Sequence, residues 1–269
     1  MSFPSFLLLL AGGFAAGVFG TLLGLGGGLF LVPFLVLVLG VPMHQAAATS
    51  IIAVIATSSA GASVYLERGL VNIRLGMLLE VATVVGAIAG GLTARVLSGE
   101  LLTKLFAAVM LVAAAMMMRR IQEERGEESI QNGAFPAQFT DEATGNVVHY
   151  GATRIPGTMA ISFLAGNVSG LLGIGGGVFK VPAIHLLSGV PLKAATATSN
   201  FMIGVTATAS AFIYFAHGHL NLALASCATL GVLGGSFVGT HISRRVHGHV
   251  LAWVFVAVLL VVSLQMFLR

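Results

Sequence analysis

Two copies of one short pattern are the first residues able to do chemistry. Gly24-Leu25-Gly26-Gly27-Gly28 and Gly173-Ile174-Gly175-Gly176-Gly177 each interrupt an otherwise unbroken apolar run. Successive glycines weaken a helix by about 1 kcal/mol each. Within hydrocarbon every backbone N–H and C=O still needs a partner, so an unwound stretch survives only inside protein or along a wet cavity. Such a break bares the first N–H groups of the helix that follows. The positive end of the helix dipole then favours an anion, and glycine lets that anion come close. The competing use of these glycines is close helix packing. A dinucleotide fingerprint is excluded, because its third glycine would fall on Leu29 or Val178 and no βαβ pattern surrounds it.

Lys180 lies three residues past the second break, where the first copy has Leu31. An ionisable residue in an apolar segment marks a functional site by default. Here it either attracts the anion or snorkels to a nearby interface. His185 lies five residues on, rotated by roughly 140° on a helix, which separates it from Lys180. Thr49-Ser50 and Thr198-Ser199-Asn200 follow the two breaks. Their polar groups can bind an oxyanion or a cation, or bond between helices. The candidate substrate site is therefore Gly26, Gly27, Gly28, Gly175, Gly176, Gly177, Lys180, Thr49, Ser50, Thr198, Ser199 and Asn200. Asn167 is a weaker candidate. Glu80 is the one acidic residue inside a predicted span and the one candidate proton carrier, and is assigned instead to an interface or to a pair with Arg74. His44 and Lys193 read as interfacial. His217 and His219 fall in a predicted loop. Cys227 is the single cysteine, so an intrachain disulfide is impossible.

The elements that position these residues follow from composition. The chain has 269 residues, 57% hydrophobic and 8% charged, with a mean hydropathy of +0.99. A soluble domain carries about 25% charged residues, so a soluble globular fold is excluded. One spanning helix takes about 20 apolar residues. An all-α polytopic membrane protein is what remains. Met1 to Gly20 has no basic start and no clear cleavage point, and reads as the first membrane element.

The chain is also duplicated. Residues 22–112 align with 171–261 at a constant offset of 149, with 34 identities in 91 columns and no gap. Pro33/Pro182, Pro42/Pro191, Tyr65/Tyr214, Asn72/Asn221 and Arg95/Arg244 match, which similarity between two apolar stretches does not explain. The organisation is a first membrane repeat over 1–118, a solvated cytoplasmic linker over 119–153, and a second membrane repeat over 154–269. The linker holds six of the nine acids and has room for a hairpin around Asn146-Val147-Val148.

Each repeat divides into five segments: 4–23, 29–40, 43–66, 73–97 and 101–118, then 155–172, 178–189, 192–216, 220–245 and 249–268. The second of each is too short to span and is expected to re-enter. About four spanning helices per repeat remain. Inverted repeats put Arg68, Arg74, Arg119, Arg120, Arg125, Arg154, Lys193, Arg244 and Arg245 on one side and Arg95, Lys104 and Arg269 on the other. Nine against three obeys the positive-inside rule better than the seven against five of parallel repeats.

The duplicated G-[LI]-G-G-G-x-F-x-V-P element, the Gly-Val-Pro turns at 40–42 and 189–191, and Ala-Thr-Ser at 48–50 and 197–199 resemble the sulfite exporter TauE/SafE family of membrane permeases. The resemblance covers both repeats. It implies a multi-pass protein of the bacterial cytoplasmic (inner) membrane that moves a small sulfur-containing oxyanion such as sulfite or an organosulfonate. The expected function is secondary transport by alternating access with Na⁺ or H⁺ coupling. An anion channel on the same scaffold, or a transporter of another small organic anion, is the alternative. The expected protein is not an enzyme and has no cofactor and no nucleic-acid partner. Its partners are a small anion and the lipid bilayer, with a homodimer left open.

Overall fold

The structure, a computed structural model, describes residues 3–22, 26–123, 133–140, 145–242 and 248–268. Gly24, Arg125, Arg244, Arg245, Arg269 and the linker acids Glu124, Glu127, Glu128, Asp141 and Glu142 lie outside the described residues. So do the side chains of Arg119, Arg120 and Glu123.

Ten helices and one hairpin make up the described chain. The first repeat holds α1 (Phe3–Leu22), α2 (Gly28–Pro33), α3 (Met43–Glu67), α4 (Ile73–Val96) and α5 (Gly99–Glu123). The hairpin pairs β1 (Ala134–Thr140) antiparallel to β2 (Val147–Ala152). The second repeat holds α6 (Ile155–Leu172), α7 (Gly177–Pro182), α8 (Leu192–Ala216), α9 (Leu222–Ile242) and α10 (Gly248–Phe267). Among the described residues, seven helices are long and apolar enough to cross a membrane.

The segment ends follow local chemistry. Asn72 accepts a bond from Leu75 N, and Asn221 accepts one from Leu224 N. The matched asparagines are thus N-caps of α4 and α9. Pro42 and Pro191 sit just before α3 and α8, where no helical N–H is lost.

The short second segments are short helices, each followed by a wider turn. α2 continues as a π-helical turn through Phe34–Val38, and α7 through Ala183–Leu187. Gly28–Val38 covers only ~16 Å at 1.5 Å per residue, about half of the hydrocarbon thickness. A Cβ on Gly20 would strike Gly27, and one on Gly12 would strike the Phe34 ring. Positions descending α1 therefore meet positions ascending α2, so α2 re-enters alongside α1.

Small residues set the long-helix packing. A Cβ would meet Leu10 O from Gly231 at 2.5 Å and would collide with Phe14 O from Gly235. Equivalent collisions join Gly86 to Phe163 O and Gly90 to Asn167 O. Partners climb together in both cases, so α1 runs parallel to α9 and α4 parallel to α6. These two pairs exchange under the duplication. α3 and α8 are themselves equivalent, and they cross in opposite directions. Val54 shares neighbours with Ile203, Ser58 lies against Gly204, and Gly61 against Asn200.

The linker is more than a solvated strap. α5 runs five residues past the expected boundary at 118. Phe139, Tyr150 and Ala152 of the hairpin are buried with Leu75, Leu79, Ala194 and Met202 at the starts of α4 and α8. Asn72 Nδ2 donates to Phe135 O at 2.9 Å, and Thr153 N donates to Ser188 O at 3.0 Å. Apolar burial and these bonds fix the hairpin to one end of the bundle. Burial also lifts the Tyr150 phenol to about 12.

Candidate functional site

Both glycine breaks use backbone that other residues avoid. Gly26 and Gly27 have φ of 77° and 74°, and Gly175 and Gly176 have 78° and 72°. These left-handed values bring a Cβ into collision in L residues, which glycine escapes. Gly27 and Gly176 then cap α2 and α7. Gly27 O accepts from Phe30 N and Leu31 N, and Gly176 O from Phe179 N and Lys180 N. The first N–H groups of each short helix have no carbonyl a turn behind them in the helix.

The two breaks come together across the duplication. Val54 of α3 and Ile203 of α8 flank both Gly26 and Gly175. A Cβ on Gly28 would lie 2.8 Å from Ser50 Oγ and 2.9 Å from Gly173 O. Ser50 Oγ donates to Gly173 O at 2.8 Å, so a serine of one repeat seals the break of the other. The matching Ser199 Oγ is buried and has no hydrogen-bond partner among the described residues. Gly24, which matches Gly173 in the duplication, lies outside them. Thr49 Oγ1 is likewise buried and unpartnered among the described residues.

The other hydroxyl and amide candidates face elsewhere. Thr198 Oγ1 accepts from Asn72 N at 3.0 Å and steadies the start of α4. Asn200 packs against Gly61, where a Cβ would collide with its amide. The backbone of Asn167 lies against Gly86 and Gly90. His185 Nδ1 is 2.8 Å from Val190 O, away from Lys180.

Lys180 does not snorkel. It is fully buried, and its Nζ donates to Thr206 Oγ1 at 2.7 Å. Glu80 is 4% exposed and joins the same cluster. Its Oε1 lies 2.6 Å from Thr206 Oγ1, and its Oε2 lies 3.7 Å from Lys180 Nζ. The expected place for Glu80, at an interface or beside Arg74, is therefore corrected. Arg74 is exposed, six residues away on α4 and on another side of the helix. Glu80 reaches Lys180 instead because α4 of the first repeat packs on α8 of the second. Thr206 went unnoticed in the sequence, although its identity with Thr57 at the offset of 149 was a readable signal.

A cavity of about 370 Å³ opens between α3 and α8. Ser58, Ser59, Ser63 and Thr208 supply its hydroxyls. Ser58 lies one helical turn past Val54, and Gly204 lies next to Ile203, so the cavity begins beside the breaks. At the other end of α3, His44 Nε2 is 3.1 Å from Ala94 O and the ring stacks on His219 at 5.0 Å. Partial burial, then the His44 and His217 charges, hold the His219 imidazole below its ordinary value. Among the described residues no group of three or more His, Cys, Asp or Glu could hold a metal ion.

The family described as sulfite exporter TauE/SafE matches residues 9–266. The chain is 28% identical over 269 residues to the probable membrane transporter protein YunE of Bacillus subtilis (strain 168), covering 97% of each chain. It is 27% identical over 261 residues to a probable membrane transporter protein of Xylella fastidiosa (strain 9a5c), covering 96% of this chain and 91% of the other. Sulfite exporter TauE/SafE family protein 5 of Arabidopsis thaliana is 45% identical over 62 residues, which is 23% of this chain and 14% of that one. No solved structure matches the chain.

Proposed function

This chain belongs to the sulfite exporter TauE/SafE family of membrane transporters, and from that premise we propose that it carries a small sulfur-containing oxyanion, such as sulfite or an organosulfonate, by alternating access with ion coupling. The observation that carries this reading is the meeting of two left-handed glycine breaks at Val54 and Ile203. Paired Gly-broken segments at corresponding places in two repeats mark the substrate site of secondary transporters.

In this reading the anion enters through the hydroxyl-lined cavity between α3 and α8. It is met by backbone N–H groups of Gly26 to Gly28 and Gly175 to Gly177, with Ser50, Ser199 and the charge of Lys180. Thr49 offers its free hydroxyl nearby. Thr198 and Asn200 hold the helices that frame the site. Oxyanions suit such a cradle, because dipoles fixed in a dry site stabilise spread negative charge without reorganising.

The repeats are read as inverted. Equivalent helices α3 and α8 run in opposite directions, as an axis lying in the membrane plane requires. The starts of α4, α6 and α8 share one end of the bundle with the hairpin, and Arg68, Arg74, Arg154 and Lys193 gather there. The positive-inside rule puts that end in the cytoplasm, and the bacterial relatives support placing the protein in a bacterial inner membrane.

Uptake into proteoliposomes tests the function. Sulfite, thiosulfate, taurine and sulfoacetate are offered under imposed Na⁺ and pH gradients. Saturable uptake, accelerated by substrate on the far side, is expected. Unsaturable ohmic current would replace the carrier by a channel, and no flux of any of the four would overturn the substrate class.

A further inference from the structure

The Lys180–Thr206–Glu80 cluster joins both repeats one helical turn from the glycine breaks, because Thr206 follows Ile203 by three residues on α8. Lys180 Nζ donates to Thr206 Oγ1 at 2.7 Å. The threonine has one hydrogen to give and two acceptors for it. Glu80 Oε1 is 2.6 Å away and Met202 O is 3.0 Å away. The carboxylate is nearer, and charged acceptors bond about twice as strongly, so the hydrogen goes to Glu80. That leaves Glu80 Oε2 buried, 3.7 Å from Lys180 Nζ, with no hydrogen-bond partner among the described residues. A carboxylate oxygen with an ion-pair partner but no hydrogen bond keeps lone pairs able to accept a proton once that partner is engaged elsewhere.

The duplication sharpens this. The columns of Lys180 and Glu80 hold Leu31 and Thr229 in the opposite repeats. Symmetric packing therefore does not require the pair, while its burial is costly. Among the described side chains the pair is also apart from other charge. α6 has no charged residue after its cap at Arg154. On α8, Lys193 is thirteen residues before Thr206, and Tyr214, eight residues after it, donates to Leu171 O at 2.9 Å. On the α7 segment, His185 is held at Val190 O, and Arg74 on α4 is exposed. Among the described residues Glu80 is the one negative partner of Lys180, and the pair is neutral as it stands.

We propose that Glu80 is a resident counter-anion which exchanges with the substrate and carries the coupling proton. In the empty carrier Glu80 neutralises Lys180. When an anion takes over Lys180, a proton from the open side binds Glu80 Oε2. An O–H bond forms there, no bond breaks in the substrate, and nothing is oxidised or reduced. Lysine plus carboxylate becomes lysine plus substrate anion, so a monovalent anion never leaves net charge in the membrane interior. Release of the anion and of the proton on the far side restores the pair. This rests on the transport reading above and adds to it the ion and the residue.

The test uses the full chain in vesicles loaded with a pH-indicating dye, with methanesulfonate and ethanesulfonate as probes. Both are monovalent anions of strong acids and bring no proton of their own. Inward anion flux by the wild type is expected to acidify the lumen. Glu80→Gln is expected to lose acidification and any response to a pH gradient in whatever anion exchange it still carries out. Glu80→Asp keeps a carboxyl, and is expected to keep proton movement with a displaced pH dependence. Wild-type anion flux without protons overturns this inference and leaves the transport reading standing, and so does proton movement that survives in Glu80→Gln. If Glu80→Gln does not assemble, an Asp variant with wild-type pH dependence overturns it. Absence of any anion exchange by the wild type overturns both.

Discussion

Thr57 and Thr206 occupy the same column of the duplication, yet their hydroxyls bond differently. Among the described residues Thr57 Oγ1 bonds only backbone carbonyls, including Gly26 O at 3.2 Å. Thr206 Oγ1 stands between an ammonium and a carboxylate. One repeat uses the position to steady its glycine break, and the other uses it to bridge a buried ion pair. The duplicated scaffold has thus been made chemically asymmetric at a few positions, next to where its two halves meet.

Thr206→Val tests the weight of that bridge. The methyl conserves shape while both charged groups lose a bond. Hydrogen bonds to charged groups contribute about 1.5–3 kcal/mol, against about 0.5–1.5 for neutral ones. Thr206→Val is therefore expected to lower the thermal midpoint in detergent more than Thr57→Val does. Thr206→Ser is expected to recover most of the loss. Equal losses at the two positions would show that the bridge adds nothing.

The ion pair makes a double-substitution prediction. Removing one partner of a buried pair costs about 3–5 kcal/mol, because the other charge is left without compensation. Lys180→Leu and Glu80→Thr are each expected to destabilise the protein strongly. Together they install the residues found in the same columns of the opposite repeats, Leu31 and Thr229. The double variant is expected to lose far less than the sum, while losing transport. Strictly additive losses in thermal unfolding would contradict the pairing.

Glycine packing between repeats is tested by adding a single methyl. A Cβ at Gly86 would collide with Phe163 O and one at Gly235 with Phe14 O, whereas one at Gly157 would meet nothing within 4 Å. Gly86→Ala and Gly235→Ala are expected to separate α4 from α6 and α1 from α9, at a cost of about 1–3 kcal/mol or more. Gly157→Ala is expected to be neutral or slightly stabilising, since alanine favours helix by about 1 kcal/mol. Unfolding of all three in one detergent checks the order.

Two groups outside the membrane predict the pH limits of stability. His219 is held below its ordinary value. As pH falls below that value the unfolded chain takes up a proton that the folded one resists, so stability is lost toward acid. Tyr150 is raised to about 12. Its contribution is complete below the ordinary phenol value near 10 and is lost as pH rises toward 12. His219→Gln is expected to flatten the acid side of a thermal-midpoint profile, and Tyr150→Phe the alkaline side. Profiles unchanged by both variants would remove these groups from the titration.

The sequence made much of the architecture legible, and the reasons are local. Helix boundaries match within about five residues, because Gly, Pro, Asn and Arg end each apolar run. The two short segments were readable from the spacing of Gly and Pro alone. The partner of Glu80 was not readable. Glu80 and Lys180 lie a hundred residues apart, and their meeting depends on how α4 is rotated against α8. Arg74 looked nearer in sequence, but residues six apart on a helix point about 120° away from each other. The docking of the hairpin was hidden for a similar reason. Phe139 and Tyr150 are two aromatics in a polar linker, and only the exposed apolar starts of α4 and α8 explain their burial.

Orientation supplies the last prediction. Arg74 and Lys193 begin α4 and α8, at the hairpin end of the bundle. Arg95 lies at the far end of α4, in the same polar corner as His44 and His219. Inverted repeats with an inward linker put the first two in the cytoplasm and the third outside. Cys227 is buried and is the single cysteine, so Cys227→Ser gives a clean background. In that background, Arg74→Cys and Lys193→Cys are expected to resist an impermeant maleimide applied to intact cells and to react after lysis. Arg95→Cys is expected to react in intact cells. Labelling that put Arg95→Cys on the same side as Arg74→Cys would defeat the spanning topology, because a single crossing of α4 separates them. Labelling of Arg74→Cys and Lys193→Cys from opposite sides would defeat the inversion, because the starts of α4 and α8 would no longer share one face.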